Sequence, residues 1–158
     1  MWPEMPPAAA TAIAIAGLNL GIYALWKVPP AWRMLNRHFI IVSMWPRATS
    51  MIGSVFSHQT AKHLVLNMGP LLLIGTRREY PCHKVKWTRA NFGAFPYKVH
   101  DEIGRGNFLA LYLASGTFGS LVSLMGHSLI LKNLATTSLG ASGAMCSLIA
   151  AWCMLHQK

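Results

Sequence analysis

A serine lies between two glycines where a polar connection meets the last apolar run of the chain. Ser142 has Gly140 two residues before it and Gly143 directly after it, and the apolar run continues to Leu155. Glycines let a chain turn, or let another backbone approach, where a side chain would block it. A hydroxyl at the start of a helix lies near unpaired backbone N–H groups, which suit an oxyanion. Ser142 is therefore a candidate nucleophile; the alternative is a packing motif of small residues between helices.

Two histidines and an asparagine form a second polar group. His63 and Asn67 are four residues apart and share one helix face, and His58 lies about one turn nearer the helix start. Imidazole and carboxamide donors aimed at one point can stabilise an oxyanion. The alternatives are a hydrogen-bond cluster between helices and a two-histidine metal or haem site. The metal site is the weaker alternative, because no acidic residue lies nearby to complete a coordination sphere or orient an imidazole.

The composition indicates a membrane protein. Of the 158 residues, 53% are hydrophobic and 11% are charged, against about 25% charged in soluble domains, and the mean hydropathy is +0.37. The formal net charge is +10, but the basic residues lie between the apolar runs and are not interleaved with aromatic residues. Lipid headgroups are therefore the expected partners of these charges, and nucleic acid is not. The three cysteines indicate neither a disulfide framework nor a zinc site.

The hydropathy pattern predicts an all-α membrane protein with one domain, residues 1–158, built as a bundle of about four transmembrane helices. The helices are expected at about 8–28, 56–75, 108–131 and 141–155. Residues 29–55 mix tryptophans and aliphatic residues with arginines, which is typical of an element lying in the membrane interface. Residues 76–107 carry seven basic residues and no hydrophobic periodicity, which predicts an irregular loop.

The third predicted helix carries two stripes of small residues on adjoining faces. Ser115, Gly119 and Ser123 recur every four residues. Gly116 and Ser120 repeat that spacing one position further along. Because small side chains let membrane helices approach closely, this helix is predicted to be a scaffold that packs on both sides.

A serine at the start of one helix and a histidine–asparagine pair on another are two halves of an acyl-transfer site. At these residues the sequence resembles the rhomboid family of intramembrane serine proteases. The resemblance rests on His58-x4-His63-x3-Asn67, on Gly140-x-Ser142-Gly143, and on residues 107–116, which look like the third core helix of the mitochondrial branch. It covers most of the chain outside roughly 77–97.

The resemblance implies a role for each motif residue. Ser142 would be the nucleophile; His63 and Asn67 would bind the oxyanion with the backbone N–H of Ser142; His58 would support the geometry of the site. The family cleaves membrane-anchored proteins near their transmembrane segments without metal or cofactor. The resemblance therefore implies a multi-pass protein, placed by its mitochondrial likeness in the inner membrane, with membrane-anchored substrates and the lipid bilayer as partners.

The sequence departs from the family pattern at the general base. In rhomboids the base is a histidine on a later membrane helix, beyond the serine helix. The sequence ends at Lys158, 16 residues past Ser142, and His156 lies 14 residues along the same helix, about 21 Å away. We therefore expect an incomplete rhomboid-like fold, truncated after the nucleophile helix and inactive as this chain. The alternative is a non-catalytic rhomboid-like protein that binds transmembrane segments.

A second departure is the stretch 77–97, which is longer than the link that usually joins the second and third core helices of the family. It shows no hydrophobic periodicity, and it is longer than an ordinary connection between helices. We interpret it as a product of a gene-model error, such as translated intron. Transcript sequencing that finds this stretch continuous in mature message would contradict that interpretation.

Overall fold

The computed structural model describes residues 5–72, 95–130, 132, 137–138 and 140–155, without the side chains of 95–97 and 137–138. The α-helices are α1 (Pro7–Leu25), α2 (Trp32–His38), α3 (Ala48–Val55), α4 (Ala61–Leu72), α5 (Phe95–Met125) and α6 (Ser142–Leu155). A 3-10 turn, Pro29–Ala31, precedes α2, and a π-helical turn, Gly126–Ile130, follows α5. The prediction of an all-α helical bundle is confirmed, apart from one pairing of two-residue strands.

Two described helices are long and apolar enough to cross a membrane: α1 and the stretch Lys98–Ile130. The buried positions of α1 follow one face, including Ala12, Ile15, Asn19 and Ile22. Its opposite face is also apolar and exposed, so α1 is hydrophobic all round, as a lipid-facing helix is. Side chains from α1, α3, α4, α5 and α6 form one core. The residue ranges predicted for the first and fourth helices nearly coincide with those of α1 and α6.

The predicted second helix starts later than expected. The sequence predicts a helix from residue 56, but α4 begins at Ala61. Thr60 precedes it and its hydroxyl accepts the backbone N–H of His63 at 3.3 Å, which is the bond of an N-terminal cap. Residues 56–60 therefore form a turn between α3 and α4. The predicted end of this helix, 73–75, lies outside the described residues.

The prediction of an irregular loop through residue 107 is wrong for its last part. Residues from Phe95 onward are helical and continue into the long helix α5, with a break at Gly104, whose φ is 79°. These turns pack on the start of α1: His100 Nε2 lies 3.2 Å from the Thr11 hydroxyl, and Arg105 donates to the same oxygen at 3.2 Å. The rest of the predicted loop, 76–94, and most of the stretch 77–97 lie outside the described residues.

The two small-residue stripes of α5 contact two different neighbours. On one face, a Cβ at Gly119 would lie 3.1 Å from the Cα of Gly143, so α6 approaches there. On the adjoining face, a Cβ at Gly116 would lie 2.7 Å from a methyl group of Val55, so α3 approaches there. The predicted packing on both sides of this helix is confirmed.

The connection after α1 contains α2, a short strand and α3. The strand β1 (Ile41–Val42) pairs antiparallel with β2 (Thr137–Ser138), which lies shortly before α6. Trp26, at the end of α1, donates its indole N–H to the Ser57 hydroxyl at 3.0 Å and so ties α1 to the turn before α4. The connection is therefore joined both to the bundle and to the segment that leads into Ser142. Its location in the membrane interface stays a prediction.

Candidate active site

The chain turns sharply just before α6. Gly140 has a φ of 117°, a backbone conformation that residues with a Cβ rarely adopt. Its N–H donates to the backbone carbonyl of Ser54 at 2.8 Å, which fixes the turn against the end of α3. Ser142 is the first residue of α6 and its side chain is exposed. Its hydroxyl makes no hydrogen bond to another described residue, and it lies at the positive end of the helix dipole.

The imidazole of His63 lies directly against this turn. A Cβ built on Gly140 would lie 2.5 Å from His63 Cε1 and 2.7 Å from His63 Nε2. Any side chain at position 140 would therefore collide with the ring. The structure brings the histidine motif and the serine motif together: the His63 ring contacts Gly140, which lies two residues before Ser142 in the sequence.

Asn67 lies one turn further along α4, and its side chain is bonded within its own helix. Its amide Nδ2 donates to the backbone carbonyl of His63 at 2.9 Å, and the residue is 6% exposed. No hydrogen bond joins it to residues 140–143, the serine motif. Asn67 shares the side of α4 that carries His63, and its role at an oxyanion stays a prediction.

His58 contacts the ring of His63. The two imidazoles meet edge to face, with ring centroids 4.9 Å apart and an interplanar angle of 68°. His58 is fully buried, and neither ring nitrogen has a hydrogen-bond partner among the described residues. It lies in the turn before α4, where burial and the nearby His63 lower its pKa to about 4, so its ring is neutral at neutral pH. The supporting role of His58 stays a prediction.

Glycines hold α6 at close range to α5. A Cβ on Gly143 would lie 3.2 Å from the Cα of Gly119 and 3.2 Å from the carbonyl oxygen of Ser115. One turn further along α6, the Ser147 hydroxyl donates to that of Ser115 at 2.5 Å. Gly143 therefore has a packing role next to Ser142, which is the small-residue alternative weighed for this motif.

The sequence did not point to Ser54, which holds the Gly140 turn. Its backbone carbonyl accepts the Gly140 N–H, and its hydroxyl lies 3.1 Å from that of Ser120 on α5. Both serines are buried. Ser120 belongs to a predicted stripe, but a backbone carbonyl leaves no signal in the sequence, because every residue has one.

The other described histidines have partners elsewhere. His38 lies 3.2 Å from the Thr49 hydroxyl, His100 contacts Thr11, and the His127 ring lies 2.7 Å from the backbone carbonyl of Ser123. His83 and His156 lie outside the described residues. In the part of the chain that the structure describes, no group of three or more His, Cys, Asp or Glu side chains is arranged to hold a metal ion.

The fold and this geometry define a helical membrane protein with a serine at a helix start and an imidazole beside it. Residues 91–158 match the Rhomboid domain family. The chain is 32% identical over 133 residues to Rhomboid protein 1, mitochondrial, of Saccharomyces cerevisiae, covering 84% of the chain and 32% of that relative. It is 29% identical over 153 residues to Presenilin-associated rhomboid-like protein A, mitochondrial, of Danio rerio, covering 96% and 34%. The chain belongs to the rhomboid family, in its mitochondrial branch.

Presenilin-associated rhomboid-like protein, mitochondrial, of Homo sapiens is 27% identical over 153 residues, covering 96% of the chain and 34% of that relative. No solved structure matches the chain. The chain spans about a third of the length of the curated relatives it matches. It is an integral membrane protein of the mitochondrion, in a family that includes intramembrane proteases.

Proposed function

We propose that Ser142 is the nucleophile of an intramembrane serine endopeptidase site, which cleaves membrane-anchored proteins near their transmembrane segments in the mitochondrial inner membrane. The observation that supports this most directly is the contact of the His63 imidazole with Gly140, two residues before Ser142. A hydrogen-bond donor is then fixed next to an exposed serine at a helix start, which is the arrangement that acyl transfer needs.

The mechanism assigns each group one task. The Ser142 oxygen attacks the carbonyl carbon of the scissile peptide, a C–O bond forms, and the electron pair of the carbonyl moves to its oxygen. His63, Asn67 and the Ser142 backbone N–H donate hydrogen bonds to that oxyanion. The N-terminus of α6 adds its dipole to the stabilisation. His58 holds the His63 ring from behind by its edge-to-face contact.

The proton of Ser142 must pass to a base. At this step the proposed reactivity of a complete family site differs from that of this chain. His38, His100 and His127 have partners away from the Gly140 turn. We assign no base in the described residues, and a serine without a base is a weak nucleophile. The 158-residue chain alone is therefore proposed to be inactive. Ser142 is proposed to react only where a further part of a longer protein supplies a base.

Labelling with a fluorophosphonate probe tests both statements. In mitochondrial membranes of the source organism, the tryptic peptide 133–158 is expected to carry the probe at Ser142. The purified 158-residue chain, reconstituted in vesicles, is expected to show no more labelling than its Ser142→Ala variant. Labelling of the purified chain at Ser142 would disprove its inactivity. Failure of labelling in native membranes that contain the peptide would disprove the protease proposal.

That last result would favour a second function, a non-catalytic protein that binds transmembrane segments. The exposed apolar side chains of α5 and α6, such as Phe118 at 64% and Met154 at 74%, support this alternative. A binding protein of this kind needs the bundle but not the serine. Capture of a membrane-anchored segment should then be unchanged by Ser142→Ala and reduced by Phe118→Ser.

A further inference from the structure

The basic side chains at one end of the bundle have no acidic neighbours. At this end α1 stops and α4 begins, joined by the bond from Trp26 to Ser57. Residues 5–78 contain no Asp or Glu. Among the described residues, the basic side chains of this end form no ion pair. These basic residues are all exposed: Lys27, Arg33, Arg37, Arg47 and Lys62.

The opposite end has balanced charge in the part that the structure describes. There the first turns of α5 pack on the start of α1, and Lys98 and Arg105 are accompanied by Asp101 and Glu102. The uncompensated positive charge in the described structure is therefore concentrated on the connection between α1 and α4.

The helix α2 presents its arginines away from the core. Arg33 and Arg37 are four residues apart and share one helix face, whereas Leu35, midway between them, is on the opposite face and 0% exposed. The indole N–H of Trp32 donates to the backbone carbonyl of Trp26 at 2.9 Å, which fixes α2 against the end of α1. The two guanidinium groups are thus held together on the outer side of a fixed element.

Large apolar side chains are exposed among these charges. Trp45 is 72% exposed, and it lies two residues before Arg47. The others between residues 27 and 52 are Val28, Trp32, Met34, Met44 and Ile52. An acidic protein segment or a nucleic acid would leave these side chains in water. In a bilayer the apolar side chains would lie below the headgroups, and the basic groups would lie at the level of the phosphates.

We propose that this basic connection surface, formed by the exposed side chains of residues 27–52, selectively binds anionic phospholipid headgroups. Charge complementarity specifies the anionic lipid, and the exposed tryptophans and methionines specify a bilayer. The surface contains neither Ser142 nor His63, so the proposal stands whether or not the chain belongs to an active protease. It goes beyond interfacial location, because it requires discrimination between headgroups of different charge.

Quenching of tryptophan fluorescence by brominated lipids measures this discrimination. The chain is reconstituted at low salt in phosphatidylcholine vesicles that contain equal fractions of either brominated phosphatidylglycerol or brominated phosphatidylcholine. Each basic side chain near a bilayer contributes up to about a factor of five in affinity for anionic lipid. We expect stronger quenching by the anionic lipid, and a loss of about fivefold in this preference in Arg33→Gln/Arg37→Gln.

Matched variants separate charge from structure. Arg33→Lys/Arg37→Lys keeps both charges and should keep most of the preference, and Lys98→Gln at the opposite end should leave it unchanged. High salt should weaken the preference, since exposed charges are screened. Equal quenching by the two lipids, or a preference that survives removal of both arginines and of Arg47, would overturn the proposal. Equal quenching together with binding of an acidic peptide would assign the surface to a protein partner instead.

Discussion

The two halves of α5 are attached to the bundle by different kinds of contact. In its second half, Gly116 receives the Val55 side chain of α3 and Gly119 receives the backbone of α6 at Gly143, so neither glycine has room for a Cβ. In its first half, α5 meets α1 through side-chain hydrogen bonds of His100 and Arg105 to Thr11. A close-packed interior is sensitive to small changes in side-chain volume and transmits them. One hydrogen bond contributes only about 1 kcal/mol net to the free energy of unfolding. The candidate site depends on the close-packed half.

The largest effect is expected from filling the contact between α5 and α6. Gly143→Leu places a branched side chain where a Cβ alone would lie 3.2 Å from Gly119 and from the Ser115 carbonyl, so the helices must separate. We expect a loss of about 3 kcal/mol in the free energy of unfolding, measured by SDS titration in mixed micelles. The control is Gly17→Leu on α1, where a Cβ would meet nothing within 4 Å. Equal losses in both variants would contradict the close-packing argument.

The next effect concerns the turn before Ser142. Gly140→Ala combines a φ of 117° with a collision against the His63 ring. We expect a loss of about 2 kcal/mol in unfolding free energy and a faster reaction of His63 with diethyl pyrocarbonate, because the ring is displaced. Gly69→Ala on α4, where a Cβ would have open space, is the matched control: it should leave the reactivity of His63 unchanged and should not lower the unfolding free energy. Unchanged reactivity of His63 in Gly140→Ala would show that the ring does not depend on this glycine.

A smaller effect is expected in the first half of α5. Thr11→Val removes the oxygen that His100 and Arg105 contact, and it leaves the buried His100 nitrogen without that partner. We expect a loss of about 1 kcal/mol in unfolding free energy with no change in the reactivity of His63. A change at His63 equal to that in Gly140→Ala would mean that the two halves of α5 are not independent.

The smallest effect is expected from the hydroxyl contact between α3 and α5, within the close-packed half. Ser54 and Ser120 join α3 to α5 through their hydroxyls, 3.1 Å apart. A double-mutant cycle with Ser54→Ala and Ser120→Ala should give a coupling energy of about 0.6 kcal/mol, as for other hydrogen bonds between membrane helices. Ser54→Ala keeps the backbone carbonyl that holds Gly140, so the reactivity of His63 should stay unchanged. A coupling energy of zero would mean that the glycine contacts alone hold the second half of α5 in the bundle.

The same contrast explains which elements the sequence predicted well. The stripes of α5 are visible because small residues recur at helical spacing, and each stripe is occupied by a neighbour. Residues 95–107 gave no such signal, because charged residues and two glycines interrupt the apolar pattern. Helix forms there nonetheless, since Val99 and Phe108 are buried and Thr11 accepts a hydrogen bond from Arg105. Tertiary packing overrides a weak local pattern at that point.

The sequence alone predicted the class of the fold, the approximate positions of α1 and α6, the small-residue faces of α5 and the residues of both polar motifs. These are local properties, since composition, helical spacing and motif order are written in the chain. Only the tertiary structure decided that the His63 ring lies on Gly140, that Ser54 holds the turn by its carbonyl, and that β1 pairs with β2. The physical reason is that such contacts join residues far apart in sequence, through backbone groups that are the same in every residue or through space left by missing side chains.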